Sequence, residues 1–268
     1  ISTGDVNNDG KNDIFIGGAH KQDSKIYVSN ENGFIEKNIE SFQNDSENED
    51  MESVFIDIDN DNDLDLYVVS GGNEFVNRSF ELSDRIYLND GKGNFSRDPQ
   101  EDLKNYTISG KTVVAIDYDN DGDEDIIVGN RIQTKKYPIH EPSIIYENIS
   151  GKFYNNTYNI APDFENFGIV NKIISTDFNN DGWDDFIAVG EWTNIGLFLN
   201  EEGTFRNINK ENNLDNLFGL WFNILETDIN NDGLKDYLIG NIGQNSKYKT
   251  SIETVSYTHL TLPPKRIV

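Results

Sequence analysis

Five copies of one acidic nine-residue segment divide this chain at near-regular intervals. They read Asp5-Val-Asn-Asn-Asp-Gly-Lys-Asn-Asp13, Asp57-Ile-Asp-Asn-Asp-Asn-Asp-Leu-Asp65, Asp117-Tyr-Asp-Asn-Asp-Gly-Asp-Glu-Asp125, Asp177-Phe-Asn-Asn-Asp-Gly-Trp-Asp-Asp185 and Asp228-Ile-Asn-Asn-Asp-Gly-Leu-Lys-Asp236. Their starts lie 52, 60, 60 and 51 residues apart. A unit recurring at that period is one supersecondary element that buries its faces only by stacking on its neighbours. The repeat therefore constrains the fold more than the length of 268 residues does.

Positions 1, 3, 5 and 9 carry a carboxylate or amide oxygen in every copy. These are Asp5, Asn7, Asp9 and Asp13; Asp57, Asp59, Asp61 and Asp65; Asp117, Asp119, Asp121 and Asp125; Asp177, Asn179, Asp181 and Asp185; Asp228, Asn230, Asp232 and Asp236. Calcium takes about 6–8 oxygen ligands in a loose shell, which a tightly curled chain can supply. Gly10, Gly122, Gly182 and Gly233 occupy position 6, where such a curl calls for φ > 0, and Asn62 stands there in the second copy. Position 7 varies freely (Lys11, Asp63, Asp123, Trp183, Leu234), as expected where the ligand is a backbone carbonyl. The loops hold no Cys or His for zinc, and magnesium demands a stricter octahedron. An EF-hand needs Glu at position 12, but Ile16, Val68, Val128, Ala188 and Ile239 stand there. The expectation is five Ca²⁺ sites. A plain acidic turn is the alternative for any single copy, and the fivefold recurrence disfavours it.

The flanks are short, β-branched and aromatic, as in Val54-Phe-Ile before one loop and Leu66-Tyr-Val-Val69 after it. Each loop thus joins two strands, and its last Asp opens the second. A third strand ending in Asn follows (Lys25–Asn30, Arg85–Asn89, Ile144–Asn148, Gly196–Asn200). After it come a Gly turn and a Phe-led fourth strand (Phe34, Phe95, Phe153, Phe205). Four antiparallel strands in about 50–60 residues make a propeller blade. The expected fold is an all-β propeller with four to five blades of an incomplete ring over residues 1–254.

A formal charge of −26 argues against nucleic acid and anionic membrane surfaces as partners, and five calcium ions would offset ten of those charges. Without cysteines, disulfides cannot staple the fold, which leaves calcium as the substitute. Open calcium sites bind at roughly 10⁻⁴–10⁻³ M in extracellular modules, so an extracytoplasmic location is expected. No apolar run approaches the ~20 residues of a membrane span. Ile1 stands almost inside the first loop, so the natural N-terminus is expected upstream. From Val255 to Val268 the repeat style stops. Val255-Ser-Tyr-Thr-His-Leu260 resembles the conceptual translation of a transposase-type sequencing adapter, so this tail is set aside as read-through and His259 is assigned no chemistry. A native C-terminal strand is the alternative.

The loops and the Ile14-Phe-Ile-Gly-Gly-Ala19 strand resemble FG-GAP/VCBS repeats, the integrin-α-like calcium propeller. Longer phrases are similar to bacterial VCBS-repeat proteins of the ASPIC/UnbV (cartilage-acidic-protein-like) group: Asp63–Phe75, Asp84–Phe95, Val189-Gly-Glu-Trp192 and Gly240–Ser246. The resemblance covers residues 1 to about 254. It implies a secreted or surface calcium-binding propeller used for adhesion or for carbohydrate and protein contacts.

Three further features stand out from the repeat. Arg131, Lys135, Lys136, Tyr137 and His140 form a basic, aromatic segment in an acidic chain. It is either a loop offsetting local acidity, the simpler reading, or a site for an acidic glycan or carboxylate. Trp183, Trp192 and Trp221 are expected to pack between blades, with sugar stacking as the alternative. Glu49, Glu74 and Glu191 are acids outside the calcium loops, and nothing in the sequence pairs them. His20 and His140 sit in no nucleophile-activating context. A glycosidase needs two carboxylates about 5–9.5 Å apart across a cleft. The chain is therefore read as a non-enzymatic binding or adhesion scaffold for protein or carbohydrate, the alternative being a polysaccharide lyase or glycoside hydrolase on a calcium-stabilised propeller.

Overall fold

β-Branched and aromatic runs on both sides of each acidic loop form strands, and the loop bends the chain back between them. The computed structural model describes residues 1–242 and the strand Tyr257–Thr261. The first blade holds β1 (Ser2–Gly4), β2 (Asp13–Ile16), β3 (Lys25–Asn30) and β4 (Gly33–Lys37). The second holds β5 (Asp50–Ile56), β6 (Asp65–Ser70), β7 (Arg85–Leu88) and β8 (Ser96–Asp98). The third holds β9 (Gly110–Ile116), β10 (Asp125–Asn130), β11 (Ile144–Ile149) and β12 (Lys152–Asn155). The fourth holds β13 (Ile169–Thr176), β14 (Asp185–Thr193), β15 (Gly196–Asn200) and β16 (Phe205–Asn207). The fifth holds β17 (Gly219–Thr227), β18 (Asp236–Asn241) and β19 (Tyr257–Thr261). Strands pair antiparallel in chain order within each blade, and the end of β14 also pairs with β17.

This is a β-propeller whose ring is incomplete. The first strands β1, β5, β9, β13 and β17 neighbour one another in sequence and form the inner layer. Across that layer Lys172 of the fourth blade reaches Glu52 of the second at 2.6 Å. Within the set-aside tail, residues 257–261 pair with β18. The remainder of the tail, and most of the Gly240–Ser246 phrase, lie outside the described residues.

The core lies between blades rather than within them. The second strands β6 and β10 are buried along their whole length, because both faces are covered. Alternate residues point to opposite interfaces, as the two-residue period of a strand requires. Leu66 and Val68 pack toward the first blade, whereas Tyr67 and Val69 pack toward the third. Phe186 and Ala188 face the third blade, and Ile187 and Val189 face the fifth. Short helices between blades, Glu40–Asn44, Glu101–Asn105 and Thr157–Ile160, drop Phe42, Leu103 and Ile160 into these interfaces. They are too short for a helical period to register in the sequence.

Candidate metal centres and the opposite rim

Each acidic loop closes on itself through the same bonds. In the third, Asp117 Oδ1 accepts the Asp121 N–H and Oδ2 accepts the Gly122 N–H, both at 3.1 Å. Asp5, Asp57, Asp177 and Asp228 hold the amides of their positions 5 and 6 in the same way. The carboxylate at position 5 accepts the position 7 N–H in all five copies. Position 6 takes positive φ as expected, from 69° at Asn62 to 95° at Gly122. Position 4 does so too: Asn8, Asn60, Asn120, Asn180 and Asn231 lie at φ 57–60°. Asn at that place in all five copies was a visible signal that the sequence reading did not use.

Where position 3 is Asp, three carboxylate oxygens gather within 4.8 Å of one another: Asp57, Asp59 and Asp61, and Asp117, Asp119 and Asp125. In the other loops Asn7, Asn179 and Asn230 accept the position 5 N–H, as Asp119 also does. Burial, then the neighbouring carboxylates, raise the Asp59 and Asp119 carboxyls above their ordinary value. The same causes push Asp63 up to about 6, and its Oδ1 is buried with no hydrogen-bond partner.

Position 9 has a second role that the sequence did not reveal. Asp13, Asp65, Asp125 and Asp185 are almost fully buried at the start of the second strand. One oxygen accepts the N–H of position 2 (Val6, Ile58, Tyr118, Phe178) and the other accepts an N–H from the third strand or its end (Ser29, Asn89, Asn148, Asn200), all at 2.7–3.2 Å. Asp236 likewise accepts the Ile229 N–H. Burial pushes Asp65 up to about 7 and Asp125 up to about 8, against the pull of those donors.

The Asn that ends the third strand ties three things together. Asn148 Nδ2 donates to the Glu124 carbonyl of its own loop at 3.3 Å and to the Ile58 carbonyl of the preceding blade's loop at 2.9 Å. Its Oδ1 accepts the Gly151 N–H of the following turn at 2.9 Å. Asn89 repeats the pattern with Leu64, Val6 and Gly93, and Asn200 with Asp184, Tyr118 and Gly203. The turn glycines have φ near 70–95° and sit so close to the preceding loop that a Cβ on Gly151 would lie 3.3 Å from Asp59 Cβ. Each of the first three acidic loops is therefore braced by the blade after it.

The connections between second and third strands leave from the other end of the blades. There the basic segment is engaged rather than open. Arg131 pairs with Glu191 at 2.9 Å, Tyr137 Oη donates to Glu191 Oε2 at 3.0 Å, and Trp192 Nε1 donates to Tyr137 Oη at 2.5 Å. Lys135 and Lys136 are exposed, and His140 bridges back to Ile132. Trp221 is core as expected, and Trp183 is half-buried beside its loop. Trp192 corrects the packing expectation, because it is 43% exposed. The structure also places the three glutamates: Glu191 is held by Arg131 and Tyr137, while Glu49 and Glu74 bring their carboxyls side by side at Gly72. Burial first, then Glu74, raises the Glu49 carboxyl, and backbone donors lower that of Glu74. His20 lies edge-on to Phe75 nearby, at 5.1 Å between ring centres.

The fold and its repeated acidic loops define a repeat-built propeller. A profile of FG-GAP-like repeats matches residues 5–68, 57–128 and 177–239, and the chain belongs to that family. Each match runs from the first position of one acidic loop into the strand beyond the next, the same unit that the sequence period marks. Among solved structures, the chain is similar to a lectin of Agrocybe aegerita described for specific recognition of non-reducing terminal N-acetylglucosamine. That likeness has 16% identity and a TM-score of 0.54, and it covers 88% of this chain and 59% of the lectin. The V. cholerae biofilm matrix protein Bap1 matches at 17% identity and a TM-score of 0.43, over 88% of this chain and 33% of that one. The lectin likeness speaks for the fold; the Bap1 score is too low to bear on it. No match was found among curated proteins.

Proposed function

We propose that this chain is a calcium-pinned binding scaffold of an extracytoplasmic protein, with protein or carbohydrate as its ligand. The observation that carries the reading is the recurrence of one closed, all-oxygen loop in five blades, two of them with carboxylate triads inside 4.8 Å. Such clustered acids in a chain of charge −26 fit a hard divalent cation. Positions 1, 3, 5 and 9 would hold it, with the carbonyl of position 7. Each carboxylate oxygen bound to an N–H keeps a second lone pair for that purpose. Calcium would supply charge neutralisation there, and the brace from the following blade would carry its effect into the blade interfaces. Weak open sites and the lack of cysteines support the extracytoplasmic location. The Val189-Gly-Glu-Trp192 type of phrase supports placement in the ASPIC/UnbV group. The hydrolase or lyase alternative draws little support from Glu49 and Glu74, whose carboxyls lie side by side at Gly72 rather than facing each other across a cleft.

At calcium about 100 times Kd, one site contributes roughly 2.7 kcal/mol. Excess EGTA should therefore lower the melting temperature by about 8 °C or more, and an unchanged melt would sink the reading. In a calcium titration Asp121→Ala should lose one site, whereas Lys111→Ala keeps them all.

A further inference from the structure

The rim away from the acidic loops holds a groove of about 420 Å³ where the fourth and fifth blades meet, a size typical of small-molecule sites. Trp192 and Phe218 line it with 43% and 59% of their surface exposed, and Phe167 lines it with them. Trp192 has φ +60°, a conformation that a bulky side chain adopts rarely and at a cost. The strain falls on a bulge, where β14 loses register with β17 between Glu191 and Thr193. Bulges re-aim side chains and gather beside functional sites. The Arg131–Glu191–Tyr137 chain of contacts ends on the Trp192 indole and holds it in place. The basic segment singled out in the sequence is thus largely a brace for one exposed aromatic ring.

The polar lining points to the ligand. Lys210 and Asp163 make no side-chain hydrogen bond or ion pair among the described residues. Thr193 is 97% buried, and its Oγ1, with Asn194 Oδ1, finds no hydrogen-bond partner among them either. Unmet buried polar atoms beside exposed aromatic faces suit a ring with one apolar C–H face and a rim of hydroxyls. Asp163 and Asp215 flank the single Lys210, on a chain of charge −26, which disfavours acidic sugars and nucleotides. We infer that this groove binds an uncharged pyranoside, stacked on Trp192 and Phe218 with its hydroxyls on Lys210, Asp163 and the Thr193–Asn194 floor. This rests on the binding-scaffold reading and names its ligand class and site.

The test is a titration of the calcium-loaded full chain with neutral disaccharides of glucose, galactose, mannose and N-acetylglucosamine, and with polygalacturonate as the acidic control. Calorimetry and tryptophan fluorescence provide the readouts. At least one neutral disaccharide should bind and polygalacturonate should not. Trp192→Ala and Phe218→Ala should each weaken that binding about ten-fold, and Trp192→Phe should weaken it less. Phe218, the more exposed residue, carries the test if Trp192→Ala lowers the melting temperature. Binding of no neutral sugar, preference for polygalacturonate, or undiminished binding in both alanine variants overturns the groove. Any of those outcomes with melting still sensitive to EGTA removes the groove alone. Melting insensitive to EGTA, with sugar binding that depends on Trp192 and Phe218, removes the calcium reading alone.

Discussion

Asp84, just ahead of β7, is a carboxyl group that the fold has enclosed. Its oxygens accept the Ser70 N–H at 2.9 Å and the Tyr67 hydroxyl at 2.8 Å. Burial nevertheless pushes it from 3.8 up to about 7. The folded chain therefore keeps a proton that the unfolded chain releases, and stability from this group is fullest below pH 3.8 and is lost as pH rises through about 7. In EGTA, where metal does not mask the trend, Asp84→Asn should flatten the fall in melting temperature between about pH 5 and pH 8. An equally steep profile in the variant would contradict this assignment. At this scale the sequence was legible where a residue's role is local. The ligand-type oxygens, the position 6 glycines and the unused Asn at position 4 all act within nine residues. The latch at position 9 was not legible, because Asp125 meets Asn148 across a sequence separation of 23 that only folding closes.

Single elements show why each blade depends on the next. Asn148 satisfies two buried carbonyls, one of them in the preceding blade. Asn148→Ala strands both, at about 1–3 kcal/mol each. Ser29 occupies the same place in the first blade, pairing with Phe34 as Asn148 pairs with Phe153, and its hydroxyl makes no hydrogen bond among the described residues. Differential scanning should show Asn148→Ala melting several degrees lower and Ser29→Ala close to the parent. Similar losses in both variants would mean that the inter-blade bond contributes nothing. Strand order, the acidic turn and the Gly hairpin were readable from period and turn chemistry. The helices that plug the interfaces were not, being a single turn long. The third-strand Asn was visible as a repeated residue, but its reach into another blade was not.

At the scale of the whole molecule, the apolar stripes that normally meet another blade are covered at the four interior interfaces and open at the two outer ones. Phe34 and Ile35 on the first blade are 54% and 64% exposed, and Phe222, Leu225 and Ile229 on the fifth are 41–57% exposed. Apolar surface of this kind drives association. The chain should self-associate with rising concentration in light scattering, and Leu225→Glu should reduce that. Association undiminished by the substitution would show that other surfaces carry it. The all-β propeller was legible from spacing alone, because a repeat reports its own architecture. The groove at Trp192 was not, since it joins residues of two blades through a strained backbone that no local pattern announces.

The one-blade offset of the Asn brace gives assembly a direction. Val6 waits for Asn89, Ile58 for Asn148 and Tyr118 for Asn200. During synthesis the ribosome delivers these partners one blade late, from the N-terminus onward. Each emerging blade thus finishes the loop of its predecessor, and the propeller is sealed behind the growing chain like a zip drawn from one end.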